Sequence, residues 1–328
     1  MADLNIGSIR SQQDNHIPFT ENNPPNDHVD VNYHLIEEEI SNDHVTRQQS
    51  WKPQAVILGP GGLKGFIELG ALYYLNTVNF FDGVTNYIGV SIGSIIWVLH
   101  LCGLSFVEIS NVGMNIDLFS LFDMKYLPNM LEGKGLVDCA EMRTILTEAI
   151  RSKRDNVPSF SELYKETAKE LIIVSYNLTR KTTMYFSRVT HPDMSIVEAA
   201  IASGSIPFVF YQYNYRNETY IDGAFGNPYP IDVADDGRNN ILGIYIHNKD
   251  RVDTKNWMKY GSAIIHAPIT ELRKSIIKNC SSRCRHLLLE NTLDDSTGMD
   301  VDLERRRAMF RTGYQTAHRF YIQINHIS

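Results

Sequence analysis

Two short apolar runs in this sequence each meet a glycine-containing turn and then continue as apolar residues at helical spacing. The first unit is AVILGPGGLKGFIELGALYYL, residues 55–75, and the second is NYIGVSIGSIIWVLHL, residues 86–101. A short apolar run that stops at a turn is typical of a strand buried on both faces of a parallel sheet. Two such strand–turn–helix units in succession predict a layered α/β fold with a mainly parallel central sheet.

The chain beyond these units continues to alternate between strand and helix patterns, and we see no internal repeat. A capped helix is predicted to start near Asp138, because Glu141 follows three residues later. Further strands are predicted at LIIVSYNL, TTMYFSRV, TYIDG and ILGIYI, with a helix at SIVEAAIASGS. From about Thr254 the pattern is mainly helical, apart from a predicted closing strand at FYIQI, residues 320–324.

Composition divides the chain into three predicted regions. Residues 1–50 are rich in Asn, Asp, Gln, His and Ser and show no apolar period, which is typical of a disordered polar tail. Residues 51–250 carry the strand and helix patterns of the α/β domain. Residues 251–328 are interpreted as a mainly helical C-terminal extension packed on that domain.

Charge and cysteine content exclude several classes of protein. The 328 residues carry a net charge of −7, which gives no reason to expect nucleic-acid binding. The four cysteines, which form no CxxC pair, are expected to be reduced; they are Cys102, Cys139, Cys280 and Cys284. Cys280 and Cys284 are predicted to share a helix face, and no complete metal-ligand spacing is present. The N-terminus lacks the apolar core of a secretory signal, so a cytoplasmic location is expected.

One long uncharged stretch allows two interpretations. Residues 83–107 contain no Lys, Arg, Asp or Glu, and about 20 such residues can span a bilayer. However, the stretch holds several Gly and Ser residues and His100, and it lacks basic flanks. A buried strand and helix explain it better than a membrane span.

The second unit contains a GxSxG motif, Gly89 to Gly93, with Ser91 at its centre. Glycines two residues before and after a serine let the chain turn sharply from strand to helix, which exposes the serine oxygen at a helix N-terminus. The helix dipole there favours developing negative charge. Ser91 is therefore a candidate nucleophile, the alternative being a small-residue turn that only packs a helix on a sheet.

The first unit contains a glycine-rich turn, GPGGLKG, residues 59–65, whose backbone amides are suited to bind an anion. A phosphate-binding P-loop requires Ser or Thr after the lysine, whereas Lys64 is followed by Gly65. A dinucleotide loop requires a third glycine where Lys64 stands. An oxyanion hole agrees better with a serine turn about 30 residues later.

A third element, YIDGAFG, places Asp222 at the end of a predicted strand. A carboxylate there can point into a cleft and accept the serine proton as a general base. The alternative is an ordinary Asp-Gly turn.

Together, GPGGLKG, GVSIG, DGA and the small-residue stretch EAAIASGSIPFVF resemble the patatin-like phospholipase family in kind and order, over residues 55–247. The resemblance implies a three-layer α/β/α fold, a Ser91–Asp222 dyad and an acyl-enzyme formed on a membrane lipid or lipid aggregate, without metal or cofactor. It also implies an oxyanion hole from amides of Gly61, Gly62, Leu63 and Lys64, with Gly59, Pro60, Gly65, Gly89, Gly93, Gly223 and Ala224 completing the motifs. The expected location is the cytoplasm, with reversible membrane association; the sequence identifies no protein activator.

One residue departs from the family pattern. Pro60 stands where the family usually has the first of three glycines, and proline has no N–H to donate. It either makes the turn rigid or narrows the oxyanion hole and slows turnover. The side chain of Lys64 is expected either to orient the loop or meet a lipid phosphate, or to be solvated in the first turn of the helix.

Two rival functions remain open at this point. An α/β-hydrolase would use a triad in which His247, at the end of ILGIYI, completes Ser91 and Asp222. A catalytically inactive lipid- or partner-binding protein on the same fold is favoured by Pro60 alone. Three further stretches are candidate membrane contacts, with core packing or solvated helix faces as the alternatives: residues 115–136, 271–286 and 304–311.

Overall fold

The computed structural model describes residues 51–115, 138–207, 209–248, 257–291 and 302–326. All of these residues belong to a single compact unit. The predicted polar tail, residues 1–50, lies outside the described residues. So does the apolar stretch proposed as a membrane contact, residues 115–136, apart from Asn115.

Eight strands form one sheet within the described residues, in the order β5-β6-β3-β2-β1-β7-β8, with β4 on β3. They are β1 (Ala55–Leu58), β2 (Asn86–Val90), β3 (Glu170–Asn177), β4 (Thr182–Phe186), β5 (Tyr213–Tyr215), β6 (Glu218–Asp222), β7 (Ile241–Asn248) and β8 (Cys284–Asn291). The pairs β1–β2, β1–β7, β2–β3 and β7–β8 are parallel. The predicted α/β class and mainly parallel sheet are confirmed.

The two apolar runs became neighbouring central strands. All four residues of β1 are buried, and β1 lies between β2 and β7. Coverage of both faces of the sheet explains why these strands read as continuous apolar runs rather than alternating patterns. The predicted hairpin is also present, because β3 and β4 pair antiparallel around the turn at residues 179–181.

Helices connect and cover the strands. They are α1 (Gly65–Thr77), α2 (Ile92–Leu101), α3 (Phe106–Asn115), α4 (Cys139–Arg151), α5 (Phe160–Thr167), α6 (Ile196–Gly204), α7 (Trp257–Asn279) and α8 (Leu303–His326). The uncharged stretch at residues 83–107 forms β2, α2 and the start of α3. Among the helices that the structure describes, none is both long enough and apolar enough to cross a bilayer.

The C-terminal region differs from its predicted pattern at two places. Residues 284–291 form β8, an edge strand paired to β7, where the sequence predicted helix. Cys280 follows the last residue of α7 and Cys284 is the first residue of β8, so the two do not share a helix face. The predicted closing strand, residues 320–324, is the last part of α8, because Tyr321 packs edge-on against Tyr74 and Phe80.

Helix α8 packs closely on α1, the helix that follows the glycine-rich turn. A Cβ atom built on Gly313 of α8 would lie 1.8 Å from the Ile67 carbonyl oxygen, and one on Gly70 of α1 would lie 1.9 Å from the Phe310 carbonyl oxygen. The two helix backbones can therefore approach this closely only with glycine at both positions. The C-terminal helix thus supports the helix that presents the candidate anion-binding turn.

Candidate active site

Ser91 lies in a strained turn between β2 and α2. Its backbone φ is 56° and its ψ is −125°, values that L-residues rarely adopt. A Cβ on Gly89 would lie 2.5 Å from the Cα of Ser94, and a Cβ on Gly93 would lie 2.7 Å from the carbonyl oxygen of Leu58. Both motif glycines are therefore required by the close backbone packing that holds Ser91 at this position.

Two further serines, Ser203 and Ser94, hold the backbone of Ser91, and no sequence motif marks this role. The Ser91 amide donates to Oγ of Ser203 at 2.8 Å, and that hydroxyl donates to the Val174 carbonyl oxygen at 2.5 Å. Oγ of Ser94 donates to the Ser91 carbonyl oxygen at 2.6 Å. Ser203 lies near the end of α6, in the stretch EAAIASGSIPFVF, and nothing in the sequence marks it as a partner of Ser91.

Strand register places Asp222 beside Ser91. Val174 of β3 pairs with Val90 of β2, and the next residue, Ser175, pairs with Asp222 of β6. Both residues of β3 also pair with β4 on the opposite edge. Because a strand has only two edges, β2 and β6 lie on the same edge of β3, and the last residue of β6, Asp222, comes next to the last residue of β2, Val90, along that edge. Ser91, the residue after Val90, therefore meets Asp222.

The Asp222 carboxyl group is buried, with 3% of the residue exposed. Burial raises its pKa from 3.8 to about 6. A hydrogen-bonding interaction with the Ser91 hydroxyl and a 2.8 Å bond from the Ala224 amide to Oδ1 act in the opposite direction. The carboxylate is thus oriented by Ala224, in contact with Ser91 and basic enough to accept a proton near neutral pH. Gly223, the residue between Asp222 and Ala224, lies against the Val174 carbonyl oxygen.

Some backbone amides of the glycine-rich turn are already hydrogen-bonded, and the others can bind an anion. The amide of Gly59 donates to the Ile244 carbonyl oxygen of β7 at 3.0 Å, and that of Lys64 donates to the Gly61 carbonyl oxygen at 3.1 Å. A short 3₁₀ helix, Gly62–Lys64, follows. The first amides of a helix have no partner inside it, so Gly62 and Leu63 are placed to bind an anion. Gly62 has a φ of 56°, which favours glycine.

The turn packs directly on the residue after Ser91. Cβ atoms built on Gly61 and Gly65 would lie 3.5 Å and 2.6 Å from side-chain carbons of Ile92. Pro60 is half-buried at the start of the turn, and Lys64 is buried, with 6% exposed. The expectation that Lys64 is solvated is therefore wrong. Its burial agrees with the alternative, a lysine that orients the loop.

His247 lies two strands away from Ser91, on β7. Side chains of successive strand residues point to opposite faces of a sheet. Ile246 faces the glycine-rich turn, since its Cδ1 would lie 2.6 Å from a Cβ on Gly61. His247 therefore points to the other face, together with Tyr245, which packs against Tyr229. Asp222 interacts directly with Ser91, and this geometry does not form a Ser–His–Asp chain.

The two basic stretches contain buried as well as exposed residues. Arg273 is buried and donates to the Ile246 carbonyl oxygen at 3.2 Å. Arg306 is buried and donates to the Gly113 carbonyl oxygen at 3.0 Å. These two arginines therefore stabilise the fold. The exposed positive residues of the two stretches are Lys274, Lys278, Arg283, Arg285, Arg305 and Arg311.

Comparison with protein families agrees with this arrangement. The model described as "Patatin-like phospholipase" matches residues 56–235, more than half of the chain and all of the motifs above. The chain belongs to the patatin-like phospholipase family. The resemblance inferred from the motifs is thereby confirmed, and membership supports a lipid hydrolase activity.

Two viral proteins are among the relatives in this family. The chain is 28% identical over 286 residues to uncharacterized protein R571 of Acanthamoeba polyphaga mimivirus. This match covers 82% of this chain and 94% of that protein. It is 29% identical over 220 residues to probable lipid hydrolase 463L of Invertebrate iridescent virus 6, which covers 64% of this chain and 70% of that protein. The similarity thus extends along most of each protein.

Solved structures confirm the patatin-like fold. VipD from Legionella pneumophila superposes with a TM-score of 0.54 at 15% identity, over 88% of this chain and 73% of that one. The type III effector ExoU of Pseudomonas aeruginosa superposes with a TM-score of 0.50 at 16% identity. That match covers 84% of this chain and 54% of the ExoU chain, so this chain spans about half of ExoU.

Proposed function

We propose that this patatin-like protein is a lipid acyl hydrolase of the phospholipase A type, which uses a Ser91–Asp222 dyad. The observation that carries the proposal is the direct interaction between the strained Ser91 and the buried carboxyl group of Asp222. Family membership and the name of the iridescent virus relative, a probable lipid hydrolase, support the choice of a lipid ester as substrate.

In the first half of the reaction Asp222 removes the proton of the Ser91 hydroxyl. Oγ of Ser91 attacks the ester carbonyl carbon, and the carbonyl oxygen becomes an oxyanion. The amides of Gly61, Gly62 and Leu63 are the donors we assign to that oxyanion, whereas the Lys64 amide already bonds within the turn. Asp222 then returns the proton to the departing lysolipid alcohol, which leaves the fatty acid esterified to Ser91.

In the second half water releases the fatty acid. Asp222 takes a proton from a water molecule that attacks the acyl-enzyme carbonyl, the same amides bind the second oxyanion, and the proton returns to Oγ of Ser91. Each half needs one base and one set of donors, and the dyad supplies them without a third residue. No metal or cofactor takes part in either of these steps.

The substrate lies in a membrane or lipid aggregate, and the first half of α7 is the surface we assign to it. β7 runs parallel to β2 through β1, so its last residue, Asn248, lies at the end of the sheet where Ser91 lies. Helix α7 begins there and exposes Tyr260 and Ile264, which are 49% and 55% accessible. Large exposed apolar side chains beside a lipid-cleaving site favour reversible contact with a bilayer.

A second candidate function is lipid binding without turnover, and one observation favours it. Pro60 removes an amide from the turn that would stabilise the oxyanion, and the loss of one such donor costs about 3–4 kcal/mol of transition-state stabilisation in other enzymes. The intact contact between Ser91 and Asp222 favours the hydrolase over this candidate.

The deciding experiment compares wild-type, Ser91→Ala and Asp222→Asn proteins on mixed phospholipid vesicles. Released fatty acid and lysolipid are quantified by mass spectrometry, which also identifies the lipid class and acyl position. We expect release from the wild type and a loss of at least about a thousandfold in each variant, because nucleophile and base act as one unit. Ser152→Ala and Asp193→Asn, at exposed positions of the same residue types, serve as matched controls.

Two other outcomes would redirect the assignment. Absence of release from the wild type, together with Ser91 unreactive toward a fluorophosphonate probe, would favour the binding protein. A His247→Ala variant that loses as much activity as Ser91→Ala would favour a triad over the dyad.

A further inference from the structure

Three side chains of metal-binding type lie together at the sheet edge opposite Ser91. Asp235 precedes β7, Cys280 follows α7 and Cys284 opens β8. One Asp235 carboxylate oxygen and the two sulfur atoms all lie within 4.8 Å of one another. Asp235 is 45 residues from the nearer cysteine, so sequence spacing alone could not reveal the cluster.

The donor set suits a borderline-soft divalent cation. Two cysteine sulfurs and a carboxylate oxygen are zinc ligands, and the Cys-x₃-Cys spacing falls in the range common in zinc sites. Tetrahedral coordination with bonds of about 2.3 Å places two sulfur ligands about 3.8 Å apart. The two sulfur atoms lie within 4.8 Å of each other, an upper limit that is about 1 Å longer than the separation in a metal-loaded site. Cys280 lies just beyond the end of a helix, where a movement of this size needs little rearrangement.

Neighbouring amides already orient the carboxylate. The Ser281 amide donates to Oδ2 of Asp235 at 2.7 Å, and the Gly237 amide donates to Oδ1 at 3.2 Å. Each oxygen keeps a lone pair for a further partner. The Ser281 hydroxyl also lies 3.9 Å from Sγ of Cys284. Partners that fix the orientation of ligands without binding the ion are a regular feature of metal sites.

A cavity opens beside the cluster and gives it access to solvent. Its volume is about 190 Å³, which admits water. The residues that line it are Asp232, Asp235, Ser275, Ile276, Asn279 and Cys280. Two of the three ligand residues thus form part of the cavity wall, and a fourth ligand can reach the ion from this side.

We propose that Asp235, Cys280 and Cys284 bind one zinc-class divalent cation, with a water molecule from the cavity as the fourth ligand. Both thiols lose their protons to solvent as the metal–sulfur bonds form. The contact from Sγ of Cys280 to the Ile276 carbonyl oxygen, 3.2 Å in this structure, is then exchanged for the metal. The bound ion joins the segment before β7 to the end of α7 and the start of β8, on the far side of the sheet from Ser91.

The test titrates the full-length, metal-free protein with Co²⁺ under anaerobic, reducing conditions. Tetrahedral thiolate ligation gives a sulfur-to-cobalt charge-transfer band and visible d–d bands. We expect saturation at one Co²⁺ per chain, displacement by Zn²⁺ and release of about two protons per ion in weakly buffered solution. Thermal unfolding of the zinc-loaded protein should occur at a higher temperature than that of the metal-free protein, and a chelator should reverse the shift.

Single variants connect the signal to the cluster. Cys280→Ser and Cys284→Ser should each lose most of the charge-transfer intensity, and Asp235→Asn should weaken binding by at least about tenfold. Cys102→Ala, a buried cysteine elsewhere in the fold, is the matched control and should bind like the wild type. Cys280 and Asp235 are only half-buried, so their variants keep the test valid if Cys284→Ser fails to fold.

Three results would overturn the proposal. The first is the absence of saturable one-to-one binding at micromolar Co²⁺ or Zn²⁺. The second is an unchanged signal in the Cys280→Ser, Cys284→Ser double variant. The third is a stable Cys280–Cys284 disulfide in protein purified without reductant, combined with no metal uptake after reduction.

Discussion

At the residue scale, the proposed chemistry depends on the Asp222 carboxyl group, whose buried environment disfavours its ionised form. Asp222 accepts a proton only when it is ionised, and burial raises its pKa to about 6. We therefore expect kcat/KM to fall about tenfold for each pH unit below about 6 and to level off above it. The measurement uses a soluble short-chain ester, so that vesicle binding does not contribute. A flat profile between about pH 5 and pH 7 would contradict the role of Asp222 as base.

The same pKa predicts an effect on stability. Below pH 3.8 the carboxyl group is protonated in both the folded and the unfolded states. As the pH rises to about 6, the folded state retains a proton that the unfolded state has lost, so stability decreases. Above that window ionised Asp222 destabilises the fold by about 3 kcal/mol, from a pKa shift of roughly two units.

Asp222→Asn should therefore be inactive and yet more stable than the wild type by up to about 3 kcal/mol at pH 8. Asparagine stays neutral and still accepts the bond from the Ala224 amide. Urea unfolding at pH 8 and near pH 4 measures the difference, which should nearly vanish at the lower pH. Equal stability at both pH values would show that burial of the carboxylate is not the dominant effect. Asp193→Asn, at an exposed site, should leave the unfolding free energy unchanged.

Pro60 allows a test of the oxyanion assignment by gain of function. Consecutive amides of an extended chain point to opposite sides, and the Gly59 amide points to β7. An amide at position 60 would point toward the β2 side, where Ser91 lies. Pro60→Gly should raise kcat by roughly tenfold to a hundredfold with little change in KM, because the new bond forms only in the transition state. Steady-state kinetics on the soluble ester give both kcat and KM. An unchanged kcat would exclude position 60 from the oxyanion hole.

At the scale of elements, the sequence predicted most strands and helices near the site and missed those whose identity depends on packing. Strands β1 and β2 and the turn at Ser91 were predictable, because apolar runs, glycines and local sterics are all read from neighbouring residues. Strand β8 was missed because its apolar run, Leu287 to Leu289, is only three residues long and follows the basic residues Arg285 and His286. The FYIQI segment alternates like a strand, yet the aromatic contacts of Tyr321 hold it in α8.

The site also divides into residues that motifs identified and contacts that depend on the folded structure. Ser91 and Asp222 were identifiable as candidates from motifs, and the structure places them side by side, while their catalytic roles stay a prediction. The support of the Ser91 amide by Ser203 was not predictable, since it joins residues 112 positions apart. The hydrogen bond between the Lys64 amide and Gly61 was also invisible, because it depends on the 3₁₀ geometry of the turn.

The crossing of α1 and α8 provides a prediction at this scale. Gly313→Ala places a methyl group where the Ile67 carbonyl oxygen lies, so the helices must separate. We expect destabilisation of roughly 1–3 kcal/mol, although alanine itself favours a helix by about 1 kcal/mol. Urea unfolding gives the value. Gly261→Ala in α7, where a Cβ meets nothing within 4 Å, is the matched control and should be neutral or stabilising. Equal effects of the two substitutions would disprove the close crossing as the cause.

At the scale of the whole molecule, the two edges of the sheet have different roles. The carboxyl ends of the parallel strands carry Ser91, the glycine-rich turn and the start of α7. The opposite edge carries the cluster of Asp235, Cys280 and Cys284. Helix α7 runs from the first edge to the second, since β7 and β8 are parallel. Residues further along α7 therefore lie further from the edge that carries Ser91.

This geometry predicts that membrane contact depends on position along α7. Ile264→Glu places a charge on the exposed apolar surface near the catalytic edge and should reduce binding to phospholipid vesicles and hydrolysis of vesicle lipid by tenfold or more. Hydrolysis of the soluble ester should stay unchanged, because Ile264 is exposed and belongs neither to the proposed dyad nor to the glycine-rich turn. Vesicle flotation and the two activity assays measure these effects.

Leu272→Glu is the matched control for that substitution. Leu272 is 39% exposed and lies eight residues further along α7, about 12 Å toward the opposite edge. It should therefore keep vesicle binding and interfacial activity close to those of the wild type. If both substitutions reduce binding equally, the whole helix rather than its first half faces the lipid. If neither does, the membrane surface lies on another element, and the assignment of Tyr260 and Ile264 is wrong.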